Sequence, residues 1–171
     1  MPSLSAASGV GKPEHRQYFW RMKPLRWWWI GLILVLFVLW RWLPRGEAPA
    51  LGVNGDQLTP CPDSPNAVSS QATDPRHAIA PLVMTGDPSS ALQRCRDVIL
   101  EERGIRLVEE GTNYLRFEAV TRWWRFVDDV ECLASPTNRL VHVRSASRIG
   151  RSDLGTNRRR IERIRDRLAR K

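Results

Sequence analysis

The sequence predicts an α+β domain: a four-stranded antiparallel meander sheet flanked by two helices, in the order αββββα, preceded by one N-terminal transmembrane helix. Three observations carry this. Residues 27–40 hold no charged side chain and are bracketed by tryptophans. Residues 105–147 fall into four strand-like runs joined by short turns, and Tyr114–Thr121 alternates cleanly with the period-2 signature of a strand. Two stretches with apolar residues at helical spacing stand on either side of those runs.

Residues 1–24 are polar and basic, with Ser, Gly and Pro, and read as a disordered tail. The segment 25–43 reads as the membrane helix. From Trp27 to Leu43 it would be roughly 25 Å long at the standard helical rise. Trp20, Trp27, Trp28, Trp29, Trp40 and Trp42 flank the aliphatic run as interfacial aromatics do. Lys12, Arg16, Arg21, Lys23 and Arg26 precede it, against Arg41 and Arg45 after it. Positive charge stays inside, so the expectation is a single-pass, inner-membrane protein with a cytoplasmic N-terminus and an exported domain. Ala48-Pro49-Ala50 also has the small-x-small form of a cleavage site, and an uncleaved anchor is the favoured reading.

Residues 44–60 are a Pro/Gly linker, and the domain proper is expected over 61–171. Prolines through residue 81 exclude a long helix or a central strand there. Within that stretch, residues 61–70 (Cys-Pro-Asp-Ser-Pro-Asn-Ala-Val-Ser-Ser) are dense in turn formers and read as an ordered loop. Asp87-Pro88 starts the first helix as N-cap and first-turn proline. Ala91, Leu92, Cys95, Val98 and Ile99 form its apolar face, and Gly104 ends it. Strands follow at 105–109, 114–121, 125–133 and 139–147. The last helix, 156–170, turns Ile161, Ile164 and Leu168 inward and its arginines outward.

Charge is polarised along the 171 residues. Residues 1–45 carry seven basic and one acidic side chain, 46–138 carry eight and fourteen, and 139–171 carry twelve and three. Basic ends suggest an anionic partner: the lipid bilayer, an anionic envelope component or another envelope protein. The C-terminal helix would suit nucleic acid only if it were cytoplasmic, which the flanking charges oppose. Cys61, Cys95 and Cys132 lack metal-site spacing, and Cys95 and Cys132 read as small core residues. No cofactor motif is present.

Two clusters could carry chemistry. In the third strand, alternation puts Asp128 on one face and Asp129 with Glu131 on the other. In the fourth, Arg144 and Arg148 share a face with His142, opposite Ser145 and Ser147. If the strands are neighbours, the arginines lie across from Asp129 and Glu131. Asp128, Asp129 and Glu131 with Arg144 are therefore the candidate catalytic set, as acid/base groups beside an oxyanion clamp. The structural alternative is cross-strand ion pairs on an open sheet face, each worth ~0–1 kcal/mol. Arg144, Ser145, Ser147, Arg148, Ser152, Asn157 and Arg158 lead into the last helix and form a candidate anion cradle. Against Asp128–Glu131, the same stretch reads as half of a carboxylate–arginine network closing the sheet onto that helix. Trp123 and Trp124, between Arg122 and Arg125, could form a rim that meets lipid headgroups or a partner.

Three stretches together resemble the domain-of-unknown-function 1499 family: residues 61–70, Arg125-Phe-Val-Asp-Asp-Val-Glu131, and residues 144–158 (Arg-Ser-Ala-Ser-Arg-Ile-Gly-Arg-Ser-Asp-Leu-Gly-Thr-Asn-Arg). The family often has a second Cys where this chain has Ala67. The resemblance implies a bacterial envelope or membrane-associated domain, which with the expected orientation would be periplasmic, and brings no reaction. The expected function is thus a non-enzymatic binding or scaffold domain on a single-pass anchor, with an envelope enzyme as the alternative.

Overall fold

The computed structural model describes residues 25–42, 48–83, 86–137 and 139–170. The expected tail over 1–24 lies outside the described residues. The chain divides into two compact units after Trp40.

Helix α1 spans Leu25–Trp42, where the apolar run was expected to be helical. The membrane span expected of it is corrected: among the described residues no helix is long and apolar enough to cross a membrane. Arg26 and Arg41 lie inside the helix, so the uncharged part is Trp27–Trp40. Fourteen residues reach about 21 Å, short of the roughly 30 Å hydrocarbon core. Its side chains from Trp27 onward are largely exposed, Trp28 at 80% and Trp42 at 84%. The inner-membrane anchoring and orientation built on a span lose that support.

In the second unit, strand β1 (Val53–Asn54) pairs with β2 (Gln57–Leu58) as a small hairpin. Next come β3 (Ala67–Ser69), β4 (Leu82–Val83) and helix α2 (Pro88–Leu100). Four longer strands follow: β5 (Ile105–Glu110), β6 (Tyr114–Val120), β7 (Val127–Ala134) and β8 (Leu140–Ser147). Helix α3 (Thr156–Leu168) closes the chain. The expected four-stranded sheet is corrected to a six-stranded one. Its order is β3-β8-β7-β6-β5, and β4 also pairs with β8. The meander β5 to β8 forms as expected. The surplus comes from the proline-punctuated segment: β3 pairs with Arg144–Ala146 and β4 with Leu140–Val141, end to end along the outer edge of β8. Strands of two or three residues have no periodicity to read.

Asp87 caps α2 by accepting hydrogen bonds from the Ser89 and Ser90 amides, with Pro88 at the first turn. The helix ends at Leu100, before Gly104, which takes a left-handed φ of 79° in the turn beyond it. A Cβ at Gly104 would lie 2.6 Å from the Val120 carbonyl oxygen, so only glycine fits there.

The core lies between the sheet and α2 with α3. Leu115, Phe117 and Ala119 of β6, Val130 and Cys132 of β7 and Val141 and Val143 of β8 meet Leu92, Cys95, Val98, Ile99, Ile161 and Ile164. Cys95 and Cys132 are free thiols within this core, and burial pushes Cys95 up to about 12. The opposite face is not open. Leu58 of β2 packs on Tyr114 and Leu133, and the segment leading into β3 runs over the same face. Strand β7 is consequently buried along its whole length.

Candidate functional site

Alternation along β7 assigns its three carboxylates to faces as expected. Register then supplies a partner for each. Glu131 lies opposite Arg144, Asp129 opposite Ala146 and Asp128 opposite Ser147.

On the face away from the helices, Arg144 Nη1 donates to Glu131 Oε2 at 2.8 Å, and the Tyr114 hydroxyl donates to Glu131 Oε1 at 2.8 Å. Glu131 is fully buried. Burial pushes its carboxyl upward, opposed by Arg144 and the Tyr114 hydroxyl. Burial and the neighbouring Glu131 push the Tyr114 phenol far up, so it remains a donor at neutral pH. Arg144 also reaches the Pro60 carbonyl at 3.4 Å, while its Nε has no hydrogen-bond partner among the described residues. Next along the sheet, Arg148 grips Asp129 with two bonds of 2.8 Å and gives a third, of 2.5 Å, to Glu118. Arg106 closes the row on Glu118 Oε2. Burial raises Glu118, but the hydrogen bonds from Arg148 and Arg106 outweigh it and hold the carboxyl below its ordinary value. His142 shares this face and meets the Ser70 hydroxyl at 3.2 Å.

On the helix face, Asp128 accepts from Arg160 Nη2 at 2.6 Å and from the Ser147 hydroxyl at 2.6 Å. Asn157, fully buried, is the hub. Its Oδ1 accepts from Ser145 at 2.5 Å and Arg160 at 2.6 Å; its Nδ2 donates to the Asn66 carbonyl at 2.9 Å and to Ser147 Oγ at 3.1 Å. Asn66 donates in turn to the carbonyls of Ser147 and Gly150. The turn at 61–70, strand β7 and the β8–α3 stretch are thereby joined through buried polar atoms.

The candidate catalytic residues are adjacent but do not share one cavity: Asp128 lines a groove with Ser147 and Ser152, and Asp129, Glu131 and Arg144 do not. Asp128 faces the helices; Asp129, Glu131 and Arg144 face the other way. The expected exposed ion pairs are buried ones, because β2 and the segment after it cover that face. The anion-cradle residues also divide. Arg144 and Arg148 lie on one face and Ser145, Ser147 and Asn157 on the other. Arg158 reaches the Arg76 carbonyl at 3.2 Å, and the exposed Ser152 accepts from the Leu154 amide. The start of α3 is already occupied by the chain itself: Asp153 accepts from the Gly155 and Asn157 amides at 3.0 and 2.7 Å.

Sequence reading missed Arg160, Tyr114, Glu118 and Asn66. Arg160 was expected outward with the other arginines; it turns inward to Asp128, whose direction alternation had indicated. Three other arginines of α3 are paired too: Arg163 with Glu102, Arg165 with Glu162, and Arg167 with Glu101 and Glu102. Among the described residues no group of three or more His, Cys, Asp or Glu is placed to hold a metal ion.

Fold and site together define a two-layer α+β domain closed by buried carboxylate–arginine pairs on both faces of its sheet. A family model described as "Protein of unknown function (DUF1499)" matches residues 57–168, and the chain belongs to that family. No curated protein matches the chain, and no solved structure does.

Removing one partner of a buried pair strands the other charge. Arg144→Met is expected to destabilise the fold by about 3–5 kcal/mol, and Glu131→Leu combined with Arg144→Met to recover most of that loss, read by urea unfolding. Glu118 supplies a pH dependence. Its folded pKa is depressed, so its stabilisation is present above the unfolded value of 4.5 and fades as pH falls through the lower folded value. Glu118→Gln should flatten that acid limb in melting temperatures taken across the acid range on both sides of the unfolded value of 4.5.

Proposed function

We propose that this chain is a non-enzymatic binding module: the α+β domain is a rigid scaffold that acts through its surface on an anionic partner. One observation carries the reading. Asp128, Asp129 and Glu131, the groups suited to acid/base work, are all buried and each accepts at least one arginine bond of 2.8 Å or less. A general base needs reach to a substrate proton; Asp129 and Glu131, held by guanidinium and sealed from solvent, lack it, and Asp128, in the wall of a groove, has its two oxygens taken by Arg160 and the Ser147 hydroxyl. Positive charge that is not consumed inside remains available outside, and residues 61–171 carry twenty basic against fifteen acidic side chains, a net +5. The α3 helix favours nucleic acid less than its composition suggests, because its pairing with Glu101, Glu102 and Asp128 neutralises much of it.

Asp129→Asn with Arg148→Gln tests the reading, since it removes both charges of the pair while Arg106 still holds Glu118. Expressed in a strain lacking the gene, this variant is expected to restore the wild-type phenotype in proportion to its folded amount. A variant that is folded to the wild-type level yet restores nothing would place chemistry at Asp129 and defeat the reading.

A further inference from the structure

The folded domain keeps its large exposed apolar side chains mainly in one place. Nine are described between Val53 and Leu154, and five of them lie on two loops at the same end of the sheet. Trp123 (71% exposed), Trp124 and Phe126 come from the β6–β7 turn; Ile149 and Leu154 (84% exposed) come from the β8–α3 loop. The loops flank a groove of about 250 Å³ lined by Thr121, Phe126, Ile149 and Thr156 among others. The Ser147–Asp128 bond and the Arg148 amide bond to the Val127 carbonyl hold them together.

The backbone supports this display at a cost. Arg125 and Leu154 have φ of 54° and 52°, left-handed values that non-glycine residues rarely adopt. Strain of this kind persists where the surroundings over-determine it, often at working surfaces. Nothing in the core requires Leu154, which points almost wholly to solvent.

The charge beside the apolar side chains is one-sided. Residues 121–126 and 149–156 contain Arg122, Arg125 and Arg151 against one acid, Asp153. Asp153 is engaged by the first amides of α3. The Arg122 guanidinium stacks 5.5 Å over the Trp123 ring. Indoles beside guanidiniums suit the boundary between lipid headgroups and acyl chains, where the ring has an apolar side and a wet side. A protein partner would need a shaped recess for each ring, whereas a headgroup layer accommodates protruding side chains of any outline.

We propose that this loop edge docks on an anionic lipid surface, inserting Trp123, Trp124 and Leu154 at headgroup depth while Arg122, Arg125 and Arg151 pair with lipid phosphates. The contact is peripheral and made by the folded domain. It rests on the binding-module reading and names that module's partner.

Hydrogen exchange of the full-length chain, followed by mass spectrometry, tests it segment by segment, so that the behaviour of α1 on lipid stays separate. The probes are vesicles of phosphatidylglycerol with phosphatidylcholine, and vesicles of phosphatidylcholine alone. Peptides covering 121–126 and 149–156 are expected to gain protection on the anionic vesicles only. Trp123→Ser with Trp124→Ser, both exposed positions, should abolish that gain without changing exchange of β7. Arg122→Gln with Arg125→Gln should lower the ratio of docked to free edge roughly thirtyfold, about fivefold for each charge near the surface. Absence of protection on anionic vesicles, equal protection on both vesicle types, or protection that survives the double tryptophan change would each overturn the proposal. Such a failure leaves the phenotype of the Asp129/Arg148 variant untouched, so the two readings fail independently.

Discussion

Everything in the second unit depends on one buried side chain, Asn157. It is the first turn of α3, yet its amide bonds to the turn before β3, to both serines of β8 and to Arg160, which carries the link on to Asp128 of β7. An apolar interface would bring α3 to the sheet in several registers of similar energy. A fully satisfied polar hub accepts one, because any slip leaves buried donors and acceptors without partners at about 1–3 kcal/mol each. The helix is thus pinned at its start by hydrogen bonds and along its length by Ile161 and Ile164.

The same constraint joins three separated stretches of sequence. The turn at 61–70 contributes Asn66, β7 contributes Asp128, and the β8–α3 stretch contributes Ser145, Ser147 and Asn157. They meet in one place. On the far face a second set, Arg144 with Glu131 and Arg148 with Asp129 and Glu118, ties the covering segment and β6 to the same two central strands. The carboxylates and arginines of these stretches are paired with one another, and most of the large exposed apolar side chains of the described domain lie on two surface loops.

Much of this was legible in the sequence. Strand geometry applied to the expected strands 125–133 and 139–147 separated Asp128 from Asp129 and Glu131, and placed Arg144 and Arg148 opposite the latter pair. Asp87-Pro88 marked the start of α2. Other features were hidden for physical reasons. Strands β1 to β4 are too short for a period and rich in proline nearby, so their pairing is decided by the edge of β8 and by Leu58 finding Tyr114. Burial of the ion pairs depended on that cover, which no local pattern announces. Arg160 reads as a solvent residue because arginine usually is one; only the inward-facing Asp128 makes its burial tolerable. In α1 the helix was legible from its apolar run. The span was not, because it required counting past Arg41.

The most direct measurement of the hub is the coupling between Asn157 and Ser145, whose side chains bond directly, in a double-mutant cycle with Asn157→Ala and Ser145→Ala unfolded singly and together in urea. Each single change is expected to cost about 2–3 kcal/mol, and the double to cost clearly less than their sum, by about 1 kcal/mol or more. Single costs below about 0.5 kcal/mol, or strict additivity, would contradict the account: the fold would then rest on its apolar core alone, and these polar residues would need another purpose.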